Sequence, residues 1–209
     1  MNRTMRRGFT LIEMLIVITI IGILIAMLLP NLTNALAKSK EVHCINSVKQ
    51  FSIALNNYSS SNRGNTMRRD PSSQWMGPLA PYIGTGSRAR TLMCPAALKT
   101  GTTPKGSATT AWKYQNFIGT YGINTHLAPL STVSTAPANT YMLMAETDSK
   151  TPAFIDCANY ETATVGGINW TADFVLNRHR KGVCIGYADS HAARVELQYI
   201  WDQKWAPNF

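Results

Sequence analysis

Arg6-Arg7-Gly8-Phe9-Thr10-Leu11-Ile12-Glu13 opens an apolar run that continues to Leu29. From Phe9 to Leu29 the chain has 21 residues and one charge, Glu13. A helix rises about 1.5 Å per residue, so the run spans roughly 30 Å, the thickness of a bilayer's hydrocarbon core. Ile, Leu, Val and Met occur all the way round such a helix, and no face is reserved for water. Arg3, Arg6 and Arg7 precede the run, whereas Lys38 and Lys40 follow it at greater distance. That asymmetry predicts a cytoplasmic leader and an exported carboxyl-terminal domain.

A cleaved secretory signal is the competing reading, with Ala35-Leu36-Ala37 as its small-residue cleavage site. The run is longer than the roughly 7–15 residues of such a signal's apolar region, and Glu13 interrupts its start. The order of basic leader, Gly8, Phe9 and a glutamate five residues into the run instead resembles the processing site of type IV prepilins and type II secretion pseudopilins. The resemblance implies that a prepilin peptidase cleaves after Gly8 and methylates the new amine of Phe9. It implies further that Glu13 guides filament assembly. A carboxylate in hydrocarbon costs a few kcal/mol or more unless paired or neutralised. The new amine lies about one helical turn away, on this chain or on a packed neighbour, and pairing relieves both charges. Gly22 and Pro30 punctuate the helix. Pro30 cannot donate to the Ala26 carbonyl, so a kink or local melting is expected there.

Residues 31–60 read as a continuation of the helix. Cys44, Val48, Phe51, Leu55 and Tyr58 recur at spacings of 4, 3, 4 and 3, with Ile45 beside them. This is one apolar stripe opposite Asn46, Lys49, Gln50 and Asn56, suited to packing on a sheet. Ser59 to Asn65 ends it. Downstream, Trp75 to Gly84 reads as a short, Pro-bounded packed segment. Residues 100–111 and 131–140 read as surface connections. Strands are expected at Phe117–Ile123 and Thr140–Ala145. Val183–Ala188 and Ala192–Leu197 are expected to form a hairpin about Asp189-Ser190. The expected fold is therefore α+β and type IV pilin-like. A long amino-terminal helix, half membrane-spanning and half amphipathic, packs on a mainly antiparallel sheet. The expected divisions are a leader at 1–8, the assembly helix at 9–30, its amphipathic continuation at 31–60 and an exported domain at 61–209.

His179 and Asp189 stand nine residues apart, which resembles the H-x9-DG signature of a large prepilin-type family. Cys44 and Cys94-Pro95 also match that family's habits. Ser190 departs from it, because the family has glycine there; a φ > 0 turn would strain serine, so a different turn type is expected. A strand between His179 and Asp189 would hold them about 30 Å apart, which excludes a catalytic pair. Asp189 reads as a turn residue bonding backbone amides. Asp189 and His191, with Glu146 or Asp148, are the weak candidates for a cation, and no cofactor is expected.

Export makes disulfides accessible to the four cysteines, which allow three pairings. Cys44 with Cys94 is the first choice, leaving Cys157 and Cys184 as a second pair or Cys184 as a buried thiol. The net charge of +9 on 209 residues includes loop arginines (Arg63, Arg68, Arg69, Arg88, Arg90) that read as solvated surface, with a DNA- or lipid-facing patch as the alternative. The chain has no G-x-S-x-G, H-E-x-x-H or P-loop pattern, so an enzyme is not expected and an assembly ATPase must be a separate protein. The expected function is a structural pseudopilin or pilin-like subunit, single-pass in the inner membrane and then in a filament with copies of itself and other pseudopilins on a membrane platform. The alternative is a minor or competence-type pilin that binds DNA or another extracellular polymer.

Overall fold

The computed structural model describes residues 9–83, 93–97, 101, 106–107, 109–128, 147–156, 178–179 and 182–203. Helix α1 covers Leu11–Ser61 without interruption. Local melting at Pro30 is not seen: the helix runs through both Gly22 and Pro30, and Thr33 Oγ1 donates to the Pro30 carbonyl at 2.9 Å. The chain divides into two compact units, Met1–Ser39 and Lys40–Phe209. The division between the two units falls within the helix, at residue 39/40. The part of the helix from Lys40 to Ser61 belongs with the domain.

In the first unit, the large apolar side chains from Phe9 to Leu36 are exposed. The helix is long and apolar enough to cross a membrane.

In the second unit, Cys44, Val48, Phe51 and Leu55 are fully buried, which is the stripe the 4-3-4 spacing predicts. Phe51 sits at the centre of an aromatic cluster. Its ring centroid lies 5.2 Å from Trp75, 5.4 Å from Tyr121 and 5.5 Å from Phe154. The first two contacts are edge-on, the geometry favoured by ring quadrupoles. Trp75 leads into the short helix α2 (Met76–Leu79), whose Met76 and Leu79 are buried in the same core.

Six strands follow. β1 (Trp112–Tyr114) and β2 (Phe117–Gly119) form a two-stranded antiparallel ribbon. β3 (Tyr121–Ile123), β4 (Pro152–Asp156), β5 (Gly182–Tyr187) and β6 (Ala192–Glu196) form an antiparallel sheet in the order β3-β4-β5-β6. The single strand expected at Phe117–Ile123 is thus two strands in two sheets, divided at Thr120. The expected hairpin is present, with Gly186 opposite Ala192 and Gly182 opposite Glu196. The strand expected at Thr140–Ala145 lies outside the described residues.

β5 is buried on both faces, as its position inside the sheet requires. Val183, Ile185 and Tyr187 join Ile155 and Ile200 in one cluster, beside a 3-10 helix at Leu197–Asp202. Cys184 and Ala188 belong to the cluster that contains α1. Between them Gly186 lets the strand approach the helix: a Cβ there would lie 2.4 Å from the Val48 carbonyl oxygen. The core thus depends on a glycine for backbone-to-backbone contact as well as on the apolar stripe.

Of the loop arginines, Arg63 and Arg68 are exposed. Arg69 is buried and donates to the Ala128 carbonyl at 2.5 Å and to Gln74 Oε1 at 3.1 Å. It ties a loop inward and is not part of a solvated surface. Arg88 and Arg90 lie outside the described residues.

Candidate functional site

Two sites deserve separate description. At the start of α1, Thr10 and Glu13 form a reciprocal capping box, T-x-x-E. The Thr10 amide and hydroxyl donate to Glu13 Oε2 at 2.8 and 2.7 Å. The Glu13 amide donates back to Thr10 Oγ1 at 3.4 Å. In the uncleaved chain, then, Glu13 is engaged by Thr10 and not by Phe9. Both bonds fall on Oε2; Oε1 accepts none among the described residues. Phe9 is exposed, and Gly8 lies outside the described residues.

The second site is inside the second unit. Asp156 ends β4, and His179 immediately precedes β5, its carbonyl accepting from the Gly182 amide at 3.1 Å. His179 Nε2 lies 2.6 Å from Asp156 Oδ2 and 3.3 Å from Cys94 Sγ. Arg178 pairs with Asp156 Oδ1, donates to the Ser107 carbonyl and reaches the Thr120 carbonyl at 3.4 Å. Thr120 in turn accepts the Cys94 amide on Oγ1 at 2.7 Å. Cys44 on α1 completes the group, its thiol donating to Cys94 Sγ at 2.6 Å. All four of Cys44, Cys94, Asp156 and His179 are buried.

The electrostatics follow from these contacts. Burial pulls the His179 ring towards its neutral form, but the hydrogen bonds to Asp156 and Cys94 outweigh it and lift the ring to about 9. The Cys44 thiol lowers Cys94 to about 7, against burial and with help from His179. Burial first, and the bond to Cys94 second, drive Cys44 far above the ordinary thiol value.

The four donor atoms lie within 4.8 Å of one another, a set of types that zinc accepts. Tetrahedral zinc with Zn–S bonds of about 2.3 Å would hold two sulfurs about 3.8 Å apart. The sulfurs here stand at 2.6 Å, closer than such a metal allows and farther than the about 2.04 Å of a disulfide. Cys44 and Cys94 are free thiols in contact with each other. The pairing of Cys44 with Cys94 expected from the sequence brings the right two residues together. Cys184 is a buried thiol facing the Glu41 carbonyl at 3.8 Å; Cys157 lies outside the described residues.

His179 and Asp189 do not meet: they flank opposite ends of β5 and each has its own partner. Asp189 Oδ1 accepts from the His191 amide at 3.1 Å and lies 2.5 Å from His191 Nδ1. Both side chains are largely exposed, and each weak cation candidate is occupied by the other. Asp148 accepts the Lys150 amide at 2.8 Å in its own turn, and Glu146 lies outside the described residues. Ser190 has φ +74°, so the turn does take the left-handed conformation that the serine was expected to avoid. Asn56 of α1 braces it, donating from Nδ2 to Ser190 Oγ at 2.8 Å and to the Ala188 carbonyl at 2.5 Å. The residues that sequence reading missed altogether are Asp156 and its partner Arg178. A lone carboxylate after Pro-Ala-Phe-Ile carries no spacing signal, and only the strand pairing brings it to His179.

The family model for the prokaryotic N-terminal methylation motif matches residues 3–29. No curated protein and no solved structure matches the chain. With an exposed apolar helix, a single carboxylate at its start and antiparallel strands beyond, the chain is a type IV prepilin/pseudopilin-like protein. The motif points to a structural subunit of the pilin type.

Proposed function

We propose that the chain is a pseudopilin or pilin-like subunit of a type II secretion or type IV pilus-like filament. A prepilin peptidase cleaves between Gly8 and Phe9 and methylates the Phe9 amine. The processed subunit sits in the inner membrane by residues 9–30, with its domain exported. A separate ATPase and membrane platform then move it into a filament of its own copies and other pseudopilins. The observation that carries this reading is the exposed, membrane-length apolar helix whose one carboxylate stands at the amino-terminal turn. In the membrane that face meets lipid; in a filament it meets the same face of neighbours. Glu13 Oε1 remains open for a neighbour's Phe9 amine, and that charge pair sets the register of packing.

The test separates the cap from the charge. Glu13→Gln keeps a capping-box acceptor, since glutamine serves at that position, but removes the charge. Thr10→Val removes the cap and keeps the charge. Cross-linking of membrane fractions should show Glu13→Gln monomers failing to join filaments while Thr10→Val joins. Assembly of Glu13→Gln at the wild-type level would end the charge-pairing account. Sequencing of the mature chain should give methylated Phe9 first; a chain beginning near Lys38 would mean a cleaved secretory signal instead. The polymer-binding alternative rests on the net charge of +9, and the inward use of Arg69 weakens it. DNA binding by the chain with a steep salt dependence would revive it.

A further inference from the structure

Cys94 Sγ is surrounded by donors. The Cys44 thiol donates to it at 2.6 Å and the Ala96 amide at 3.4 Å. His179 Nε2 lies at 3.3 Å from the same sulfur and at 2.6 Å from Asp156 Oδ2. Arg178 pairs with the other oxygen of that carboxylate, and Nε2 faces both Asp156 and Cys94 Sγ. Three donors from three separate segments thus converge on one sulfur, the arrangement that stabilises a thiolate. A passive disulfide staple has no use for it, because neither sulfur of a disulfide carries charge.

We propose that Cys44 and Cys94 are a reversible thiol–disulfide couple, with Cys94 the reacting sulfur and His179 and Asp156 its positioning residues. The partner is a low-molecular-weight disulfide of the glutathione class. The Cys94 thiolate attacks one sulfur of that disulfide, forming a mixed disulfide and releasing one thiolate. The Cys44 sulfur then attacks Cys94 Sγ, closing Cys44–Cys94 and releasing the second thiolate, which takes the Cys44 proton. Two electrons pass from the cysteine pair to the small disulfide, leaving one thiol and one thiolate. Closed, the bond ties α1, four residues past the start of its domain-side portion, to the 93–97 segment. Reduced, the same segment is held by hydrogen bonds and by the packing of Cys94 and Ala96 in the core. Because the network stabilises the reduced form, the couple should be easier to reduce than a structural disulfide. The sulfurs are buried, so exchange is slow and the equilibrium, not the rate, is the diagnostic quantity.

The experiment uses the full chain in detergent, equilibrated from both the reduced and the oxidised side in glutathione buffers. Alkylation and peptide mass spectrometry then read the Cys44–Cys94 bond, and metal analysis accompanies each sample. The wild type should show the bond in oxidising buffers and lose it within the glutathione range. His179→Gln, and to a smaller degree Asp156→Asn, should preserve the bond at reduced-to-oxidised glutathione ratios about tenfold higher. Circular dichroism confirms that each variant is folded. The wild type decides the matter even if both variants unfold. A bond that resists every glutathione buffer would make the pair a passive staple. A pair that never bonds, or one zinc per reduced chain, would overturn the proposal outright. Folded variants with the wild-type midpoint would remove His179 and Asp156 from it.

Discussion

Glu13 and Asp156 are both carboxylates set among apolar neighbours, and the molecule answers them in opposite ways. Glu13 is met locally, by a threonine three residues before it, and half of its carboxylate has no partner among the described residues. Asp156 is met from a distance, by Arg178 and His179 some twenty residues later in the chain, and both of its oxygens are engaged. The first arrangement leaves capacity for a partner outside the chain. The second is closed to outside partners and acts on its own neighbours, Cys94 above all. A charge that serves assembly must be left incompletely satisfied; a charge that serves a buried group must be satisfied fully, since an unpaired one there is heavily penalised.

The largest effect that can break this contrast is the loss of filament assembly in Glu13→Gln. The next is confined to the domain. Phe51→Ala removes the ring at the centre of the aromatic cluster, and losses for such truncations run about 3–5 kcal/mol. Urea unfolding of the chain in detergent should show that loss, while carbonate extraction shows residues 9–39 still holding the chain in the membrane. Co-loss of membrane retention would mean the two regions are not independent.

How far these regions could be read from sequence follows from the same contrast. The Gly8–Glu13 order and the stripe from Cys44 to Leu55 are local patterns: spacing alone carries them, and α1 with its buried face follows. Asp156 and Gly186 carry no local pattern. Pro152–Asp156 is a five-residue strand opened by a proline, and its role depends on pairing with β3 and β5. Gly186 is explained only by the Val48 carbonyl across from it. The strand between His179 and Asp189 keeps the two apart as expected, but nothing in their spacing points to Asp156 as the partner of His179. Arg69 reads as surface for a similar reason: the carbonyl it serves, Ala128, is 59 residues away.

A smaller effect tests the buried network through pH. His179 lies above its ordinary 6.5, at about 9. Its contribution is complete below about 6.5 and is lost as pH rises through about 9. Cys94 lies below its ordinary 9, at about 7, so its contribution is complete above about 9 and is lost as pH falls through about 7. In the reduced wild type the two slopes oppose, and unfolding midpoints should change little between those limits. Cys94→Ser leaves only the His179 slope, so stability should fall as pH rises over this window. His179→Gln leaves only the Cys94 slope, so stability should rise. Parallel profiles for the two variants would show that the sulfur and the ring do not share a charge.

The smallest effect lies in the β5–β6 turn. Ser190 holds φ +74°, a conformation that costs an L-residue roughly 1–2 kcal/mol. In return its hydroxyl accepts a bond from Asn56, worth about 0.5–1.5 kcal/mol. The Asn56 amide has two hydrogens and faces three acceptors, Ser52 O, Ala188 O and Ser190 Oγ, so the serine's share is at the low end. Ser190→Ala loses the bond and keeps the strain, and should lower stability by about 0.5 kcal/mol. Ser190→Gly loses the bond and the strain but gains freedom in the unfolded chain, about 0.5–1 kcal/mol, and should fall within about 0.5 kcal/mol of the wild type. Thermal melts that place glycine clearly below alanine would mean that the left-handed conformation carries little strain here, and an alanine variant as stable as the wild type would mean that the Asn56 bond does not hold this turn.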